Sequence, residues 1–589
     1  MSWLPSYIQE RAPVYGTMAL DYLNQARNGF NKLCVNLEPW QIVAYTLGVT
    51  FIFLWLRRQH RAEKTLFSRM KSKLFRLVRK VPWVQAKIEK ELSKVRKDIE
   101  DSIHKCDRRR EFHTVLPESG LKTEDIVREA ESYQSMTEFP YQDGRVSGAV
   151  YTDEKKDHKL LLTKIFDLYA YSNPLHPDVF PGCRKMEAEI IHIVCNLFHG
   201  GPRSCGTTTT GGTESILLAC LAYRNRAYAN GIEHPEMVIP VTAHAAFDKA
   251  GELFCIRVRH VPVNPKTMQV DVKAMKRAIG PNTCMLVGST PNFPCGTIDP
   301  IEEISRLGES YGIPVHVDAC LGGFLIAFME KAGYPMKPFD FRLPAVTSIS
   351  CDTHKYGFAP KGSSIIMYRE EEYLHHQYFC IPDWPGGIYA TPTLTGSRCG
   401  ANIALTWATL LYYGERGYVA ATKKIVDTTR QIRKGLEQTK GIRLVGSSDT
   451  SVVAFTSDDF NIYSLSDRLN KMGWNLNTLQ NPAAIHLCVT TNQTKEGVAE
   501  KFVDDVRQGT KDLLSNPEST KDSKTAAIYG MAASVPDKTL VEDVAFAFLD
   551  SCFATPSLPT GDADSHHHNG KESKADKHSS SANGRAKAK

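Results

Sequence analysis

The 15 cysteines of this 589-residue chain lack the spacing of a metal site. No two of them form a CxxC pair, and the nearest neighbours, Cys195 and Cys205, lie ten positions apart. Zinc sites, which draw on closely spaced cysteines and histidines, are therefore not indicated.

A broadly distributed positive charge is also missing. The formal net charge is +7, but residues 57–97 hold 15 lysine and arginine residues against 3 glutamates, so the rest of the chain is net acidic. A nucleic-acid-binding protein needs a basic surface on its folded body. Nucleic-acid binding by the main body is therefore not expected.

The N-terminus lacks a cationic region followed at once by an apolar run, so a cleaved signal peptide is not expected. What is present is an uncharged stretch, residues 40–56, with Trp40 and Trp55 placed like interfacial anchors. As a helix it would span about 25 Å, close to the roughly 27 Å of the endoplasmic reticulum bilayer. A buried core helix is the alternative, because short apolar runs often form one.

The flanking charges favour the membrane. Four basic residues follow within residues 57–64, whereas only Arg27 and Lys32 precede the stretch nearby. By the positive-inside rule we expect a single-pass transmembrane helix over residues 39–56, with residues 1–38 lumenal and the main body cytosolic. Residues 57–106 would then be a basic juxtamembrane segment.

Apolar, β-rich runs alternate with helical patterns between residues 161 and 397. The predicted strands are residues 237–241, 255–261, 284–288, 313–318 and 346–350. Such alternation is typical of a large α/β domain with a mostly parallel sheet. Residues 107–160 are expected to form an extension that leads into it.

Residues 398–554 show a different pattern. Two long helical segments, 401–413 and 423–436, are followed by strands at 451–455 and 485–489, which predicts a smaller C-terminal α+β domain. Residues 555–589 contain almost no apolar side chains, so a disordered tail is expected there.

Lys355 lies at the end of the predicted strand 346–350, between His354 and Tyr356 and before a Gly/Pro-rich bend. A desolvated lysine at a strand end can lose its proton and condense with a carbonyl group. The alternative is a solvated loop lysine, and the motif alone does not exclude it.

Two further features support a cofactor site. Asp318 ends the predicted strand 313–318, at the end where open α/β sheets bind ligands. Pyridoxal phosphate needs an acid of this kind to keep its ring nitrogen protonated. The Thr- and Gly-rich turn at residues 207–215 runs into a helix N-terminus, which suits a phosphate, although such turns also cap ordinary helices.

These motifs resemble a known family. The segments 211–215 (GGTES), 244–250, 316–319 and 353–357 are similar to the fold-type I pyridoxal phosphate enzymes of the group II decarboxylase-like branch, and the likeness runs from about residue 38 to about residue 552. It implies that His244 stacks on the cofactor ring and that Lys355 carries the cofactor. It also implies a homodimer. The cofactor contacts that it implies are Gly211, Gly212, Thr213, Ala319 and His354 together with His244, Asp318 and Lys355.

Within this branch the chain resembles members that cleave phosphorylated sphingoid bases to a long-chain aldehyde and phosphoethanolamine. The resemblance implies that Tyr151, His176 and Lys361 grip the substrate phosphate. Lys361 lies six residues past Lys355 in the same bend, His176 could equally be structural, and Tyr151 has no independent support. Either Lys355 or Tyr389 could move the proton of the substrate hydroxyl.

Two other functions are compatible with the motifs. One is an amino-acid decarboxylase on the same fold, and the other is a catalytically dead membrane scaffold. Lys361 and the N-terminal apolar stretch disfavour the decarboxylase, and the combined presence of Lys355, Asp318 and His244 disfavours the scaffold. One departure from the family pattern is Thr210, where a serine is more usual, and its hydroxyl is retained.

Overall fold

A computed structural model describes residues 21–32, 34–60, 78–107, 110–448, 450–516 and 539–555. For residues 55–60 the backbone is described but the side chains are not. Residues 1–20, residues 61–77 of the predicted basic segment, and the predicted disordered tail apart from Thr555 lie outside the described residues.

A mixed seven-stranded sheet organises the larger part of the chain. Its strands are β1 Cys205–Thr209, β2 Glu236–Pro240, β3 Arg257–Val261, β4 Thr283–Ser289, β5 Val315–Asp318, β6 Val346–Cys351 and β7 Ser364–Tyr368. Their order is β1-β7-β6-β5-β4-β2-β3, and only β7 runs antiparallel to its neighbours. Strands β2, β4, β5, β6 and β7 are buried along their whole length, and β2, β4 and β7 are largely apolar, as buried strands of this kind usually are.

Two smaller sheets follow. The strands β8 Phe379–Ile381 and β9 Tyr389–Thr391 form a hairpin, and β10 Arg443–Val445, β11 Val452–Thr456, β12 Asn477–Leu479 and β13 Ala484–Cys488 form an antiparallel sheet with the order β10-β11-β13-β12.

The helices lie between and around these strands. They are α1 Pro39–His60, α2 Pro82–Ile103, α3 Thr123–Gln134, α4 Lys156–Tyr169, α5 Pro181–Leu197, α6 Gly212–Ala229, α7 Ala246–Phe254, α8 Val272–Ala278, α9 Ile301–Tyr311, α10 Gly323–Met329, α11 Glu371–His375, α12 Gly400–Glu437, α13 Ile462–Lys471, α14 Val498–Ser515 and α15 Thr539–Phe553. Gly414 interrupts α12 with φ 55° and ψ 178°, so α12 is two helices joined at a kink, as the two predicted segments required.

The contacts divide the chain into two units. The first comprises Met1–Lys80 and Phe139–Lys538, and the second comprises Val81–Glu138 and Thr539–Lys589. In the second unit α15 packs on α2, and the buried His104 places its Nε2 3.0 Å from the carbonyl oxygen of Ser551. The main core of the first unit lies around strands β4, β5 and β6 and includes Ile190, Phe324 and Ile349.

The predicted α/β fold with a mainly parallel sheet is confirmed. Strand β1 was missed because its sequence, CGTTT, has no apolar run. The predicted membrane-spanning stretch lies in α1. None of the helices, over the residues that the structure describes, is long and apolar enough for a membrane crossing.

Candidate active site

The predicted site residues converge on one edge of the seven-stranded sheet. Strands β1, β2, β5 and β6 run parallel, so their carboxyl ends share that edge. Gly211 follows β1, His244 follows β2, Asp318 ends β5, and Lys355 follows β6. In open α/β sheets this edge is where ligands bind.

Lys355 faces a buried carboxylate that the sequence analysis did not assign. Its Nζ lies 2.7 Å from Asp352 Oδ2, and His354 Nε2 lies 3.5 Å from the same oxygen. Burial would lower the pKa of Lys355, but the charge of Asp352, its hydrogen bond to Lys355 and the charge of Asp318 contribute to an opposing effect that is larger in sum, so that pKa is raised. Burial would likewise raise the pKa of Asp352, but the charges of Lys355 and His354 and the hydrogen bonds to the carboxylate together hold that pKa below its ordinary value. In the sequence, Asp352 directly follows strand β6 and Lys355 lies three residues after Asp352, and this spacing was the signal that could have revealed the pair.

The glycine turn lies against the same group. A methyl group placed on Gly212 would meet the two carboxylate oxygens of Asp352 at 2.7 and 2.8 Å and Cys320 Sγ at 2.9 Å. One placed on Gly211 would meet only His354 Cε1, at 3.5 Å. The turn therefore packs directly onto the Lys355 motif, and α6 begins at Gly212 with its amino end at the site.

The turn is held by its own side chains. Glu214 Oε2 accepts hydrogen bonds from the backbone N–H and the hydroxyl of Thr210, both at 2.7 Å. The hydroxyl of Thr210, which stands where a serine is more usual, therefore forms a hydrogen bond within the turn. Thr213 is exposed in the first turn of α6.

Asp318 is fixed by a buried hydrogen-bond network. Its Oδ1 accepts from the Cys320 N–H at 3.0 Å and from Ser350 Oγ at 3.3 Å, while no residue in the described parts of the chain bonds to Oδ2. Ser350 Oγ also lies 3.2 Å from Nε2 of the buried His316, whose Nδ1 lies 2.7 Å from Ser348 Oγ. Burial lowers the pKa of His316 to about 4, so this histidine is neutral. Ala319 is buried beside the network.

A cavity of about 300 Å³ opens beside Lys355. Its lining includes Tyr151, Leu162, His354, Phe358 and Lys361. Lys361 Nζ lies 4.9 Å from the centre of the Tyr151 ring, within cation–π range. Desolvation and then the positive charge of Lys355 lower the pKa of Lys361.

The structure thus brings Tyr151 and Lys361 together with Lys355. Burial raises the pKa of Tyr151, whose ring also packs edge-on against Tyr356 at 4.8 Å. Tyr151 lies in the extension before the large domain, and nothing in its local sequence marks it as a site residue.

Besides Asp318, Ala319 and the turn residues 211–213 described above, three predicted residues do not line this cavity. His244 is exposed, and its Nδ1 accepts a hydrogen bond from the Ala246 N–H at 3.1 Å. His176 is exposed in the loop between α4 and α5. Tyr389 belongs to the exposed β8–β9 hairpin, where its ring contacts Trp384. Their predicted roles stay predictions.

The residues present fit pyridoxal phosphate. Asp318 offers an oxygen without a hydrogen-bond partner among the described residues, at the edge where a ring nitrogen needs an acid. Lys355 reaches the cavity, and the amino end of α6 supplies free N–H groups for a phosphate.

Comparison with known proteins agrees with this arrangement. Residues 150–458 match the pyridoxal-dependent decarboxylase conserved domain. The chain is 48% identical to sphingosine-1-phosphate lyase 1 of Rattus norvegicus over 92% of this chain and 94% of that protein. It is also 48% identical to sphingosine-1-phosphate lyase of Drosophila melanogaster, over 91% and 98%.

Solved structures agree as well. The sphingosine-1-phosphate lyase of Burkholderia pseudomallei superposes with a TM-score of 0.66 and 41% identity, over 71% of this chain and 96% of that one. A glutamate decarboxylase of Lactobacillus brevis, at 24% identity and a TM-score of 0.60 over 68% and 94%, shares the fold. The chain therefore belongs to the pyridoxal-dependent decarboxylase family and, within it, to the sphingosine-1-phosphate lyases.

Proposed function

We propose that this protein cleaves phosphorylated sphingoid bases, such as sphingosine 1-phosphate, into a long-chain aldehyde and phosphoethanolamine. The observation that carries the proposal is that Lys361 and Tyr151 share one cavity with Lys355. The cavity thus offers a cation and a phenol beside the lysine that is expected to carry the cofactor.

Pyridoxal phosphate, when bound, supplies a protonated ring that accepts the electron pair released as the bond between carbons 2 and 3 breaks. Asp318 would hold the ring of the bound cofactor and keep its nitrogen protonated, because a buried carboxylate next to that nitrogen favours the nitrogen's charged form. His316 and Ser350 keep the carboxylate in one orientation.

A second proton must leave the 3-hydroxyl of the substrate. Lys355 and Tyr389 both remain candidates for this base. Lys355 lines the cavity, whereas Tyr389 does not reach it from within its own chain.

The substrate phosphate explains why a lyase needs Lys361. A dianion is held by cations and phenols through short charge-assisted hydrogen bonds. The phosphate is absent from an amino-acid decarboxylase substrate, whose carboxylate must leave as carbon dioxide. The apolar side chains of Leu162 and Phe358 line the same cavity and suit an alkyl chain.

The test separates the three candidate functions. Purified protein is incubated with pyridoxal phosphate and a sphingoid base phosphate, and phosphoethanolamine and carbon dioxide are both measured. Release of phosphoethanolamine supports the proposal, and carbon dioxide alone identifies a decarboxylase. A scaffold yields neither product and lacks the visible absorbance of lysine-bound cofactor that Lys355→Ala abolishes.

We further propose that the active unit is a homodimer in which the β8–β9 hairpin completes the partner's site. The hairpin exposes large apolar side chains: Phe379 is 54% exposed, Trp384 52% and Ile388 79%. Several exposed apolar side chains on one hairpin are typical of an interface. A twofold dimer would also give Tyr389 access to a cavity that it does not line in its own chain.

Complementation tests this arrangement. Lys355→Ala and Tyr389→Phe, each inactive alone, are co-expressed. If the two residues meet across the interface, mixed dimers hold one intact site, and random pairing restores about a quarter of wild-type activity. Residues acting within one chain would give no activity above the single variants.

We also propose that α1 anchors the protein in the endoplasmic reticulum membrane, with a lumenal N-terminus. The support is its exposed apolar surface, which includes Val43, Leu47, Phe51 and Leu54, and the basic residues that follow. The described side chains of α1 end at Leu54, short of the roughly 20 residues that a span requires, and the uncharged stretch continues to residue 56.

An N-glycosylation acceptor added before residue 1 tests the orientation. Glycosylation of that tag, together with resistance of the membrane-bound protein to alkaline extraction, is expected. Extraction at alkaline pH without glycosylation would contradict the anchor.

A further inference from the structure

Asp352 is a second buried acid in the site, and its chemistry differs from that of Asp318. Its side chain is 1% exposed, and its Oδ2 lies 2.7 Å from Lys355 Nζ. Its Oδ1 is buried with no hydrogen-bond partner among the described residues. A buried carboxylate with one unsatisfied oxygen is costly, so its retention beside one lysine calls for an explanation.

We propose that Asp352 is the positioning residue of Lys355: when the lysine nitrogen is not bonded to cofactor, the carboxylate keeps it at the site and favours its ammonium form over the neutral amine. The proposal rests on the proposed function only in taking Lys355 as the residue that carries the cofactor.

The geometry shows why the position is fixed. Asp352 directly follows β6 and lies between Lys355 and Gly212, so close to Gly212 that a methyl group added there would meet the carboxylate oxygens at 2.7 and 2.8 Å. Other titratable groups around Lys355 Nζ are Asp318, His354, Lys361 and the thiols of Cys320, Cys351 and Cys488. Burial raises the pKa of each of these three thiols, so they remain neutral.

Proton balance gives the carboxylate a function in turnover. With pyridoxal phosphate bound, a substrate amine that arrives as an ammonium ion would replace Lys355 Nζ on the cofactor. If the nitrogen bonded to the cofactor carries one proton before and after, the substrate nitrogen would give up two protons and Lys355 Nζ would gain two and leave as an ammonium ion, so no external acid or base is needed. Asp352 Oδ2 then keeps the released ammonium within reach of the same carbon for its return.

The test compares Asp352→Asn with a matched control, Asp505→Asn, which removes another largely buried carboxylate paired with a lysine, Lys501. Full-length protein freed of cofactor is treated with an amine-acylating reagent across a pH series. Mass spectrometry then gives the acylation rate of the peptide that contains Lys355. With Asp352→Asn, acylation of Lys355 at pH 8 is expected to rise at least about tenfold, because one pKa unit changes the neutral fraction tenfold. Asp505→Asn should leave the rate unchanged.

A second readout uses the holoenzyme. The visible absorbance of lysine-bound cofactor should titrate at lower pH in Asp352→Asn, because the carboxylate favours a protonated nitrogen. Neither measurement requires substrate, so both stand apart from the lyase assay. An unchanged acylation profile in a folded Asp352→Asn protein would overturn the proposal.

Wild-type protein keeps the test valid even if the variant fails to fold. In the same sample, the pH midpoint for acylation of Lys355 should lie above that of Lys361, which has no carboxylate partner among the described residues. Equal or reversed midpoints would equally overturn the proposal.

Discussion

The packing of Gly212 against Asp352 leads to a sharp prediction about a single methyl group. Gly212→Ala would place a Cβ at 2.7 and 2.8 Å from the Asp352 oxygens and at 2.9 Å from Cys320 Sγ. Because Asp352 is fixed by Lys355 and Cys320 is buried, neither neighbour can rotate freely away. The methyl group must therefore displace the turn or the carboxylate.

The expected cost follows from these contacts. Overpacking a buried site costs about 1–3 kcal/mol. The helical preference of alanine over glycine offsets up to about 1 kcal/mol of that. We expect a net loss of about 1–2 kcal/mol in the free energy of unfolding. Pyridoxal phosphate affinity should also fall, because the displaced turn is the amino end of α6.

Gly211→Ala is the matched control. It adds the same methyl group one residue earlier, where the nearest atom is His354 Cε1 at 3.5 Å, an ordinary contact distance. The backbone there has φ 164°, an extended conformation that alanine adopts. Urea unfolding and cofactor titration by visible absorbance should therefore separate the two variants. Equal stability and equal cofactor affinity in the two proteins would refute the packing argument.

Three further predictions test the rest of the site. Lys361→Met should raise KM for the phosphorylated substrate about 10- to 100-fold with a smaller change in kcat, because a charge-assisted hydrogen bond contributes roughly 1.5–3 kcal/mol; steady-state kinetics check this, and an unchanged KM would contradict it. Buried His316, with a pKa of about 4 against 6.5 unfolded, contributes stability that is complete above pH 6.5 and is lost as the pH falls toward 4, by about 3 kcal/mol. Urea midpoints at pH 7.5 and 5 should differ less in His316→Asn than in wild type, and an equal difference would show that His316 does not carry the effect. Arg398→Ala should destabilise the protein by about 1–3 kcal/mol, since it leaves the partly buried Glu187 without its cation and with the Thr208 hydroxyl as a remaining donor. Glu187→Gln in the same background should recover part of the loss, and no recovery would show that the ion pair is not the cause.

Much of the fold could be predicted because buried parallel strands produce continuous apolar runs. The predicted strand 237–241 became β2, Glu236–Pro240, and the predicted strand 284–288 became β4, Thr283–Ser289. Strand β1 was not predicted because three of its five residues are threonines, and the Thr208 hydroxyl is hydrogen-bonded to Glu187. Polar strands give no periodic apolar signal.

Site residues could be predicted where a short sequence motif marks them. They could not be predicted where only the tertiary fold brings them to the site. Lys355 and Asp318 each lie at the end of an apolar strand, so their positions followed from strand prediction. Tyr151 reaches the cavity from the extension before the large domain, and only the tertiary packing of its ring under Lys361 reveals it. Tyr389 lies outside the cavity of its own chain, which a single sequence could not have indicated.

The charges around Lys355 determine how a charged substrate is oriented in the site. Asp352 lies on the same side as the α6 turn, whereas Lys361 lies toward the cavity that Tyr151 lines. A substrate with an ammonium group and a phosphate must place the first toward the carboxylates and the second toward Lys361, since the opposite orientation would set like charges together. The reacting carbons next to the ammonium then fall beside Lys355. An amino-acid substrate without a phosphate would leave the partly desolvated Lys361 without an anion, so discrimination against such substrates follows from the same charge arrangement that orients the lipid.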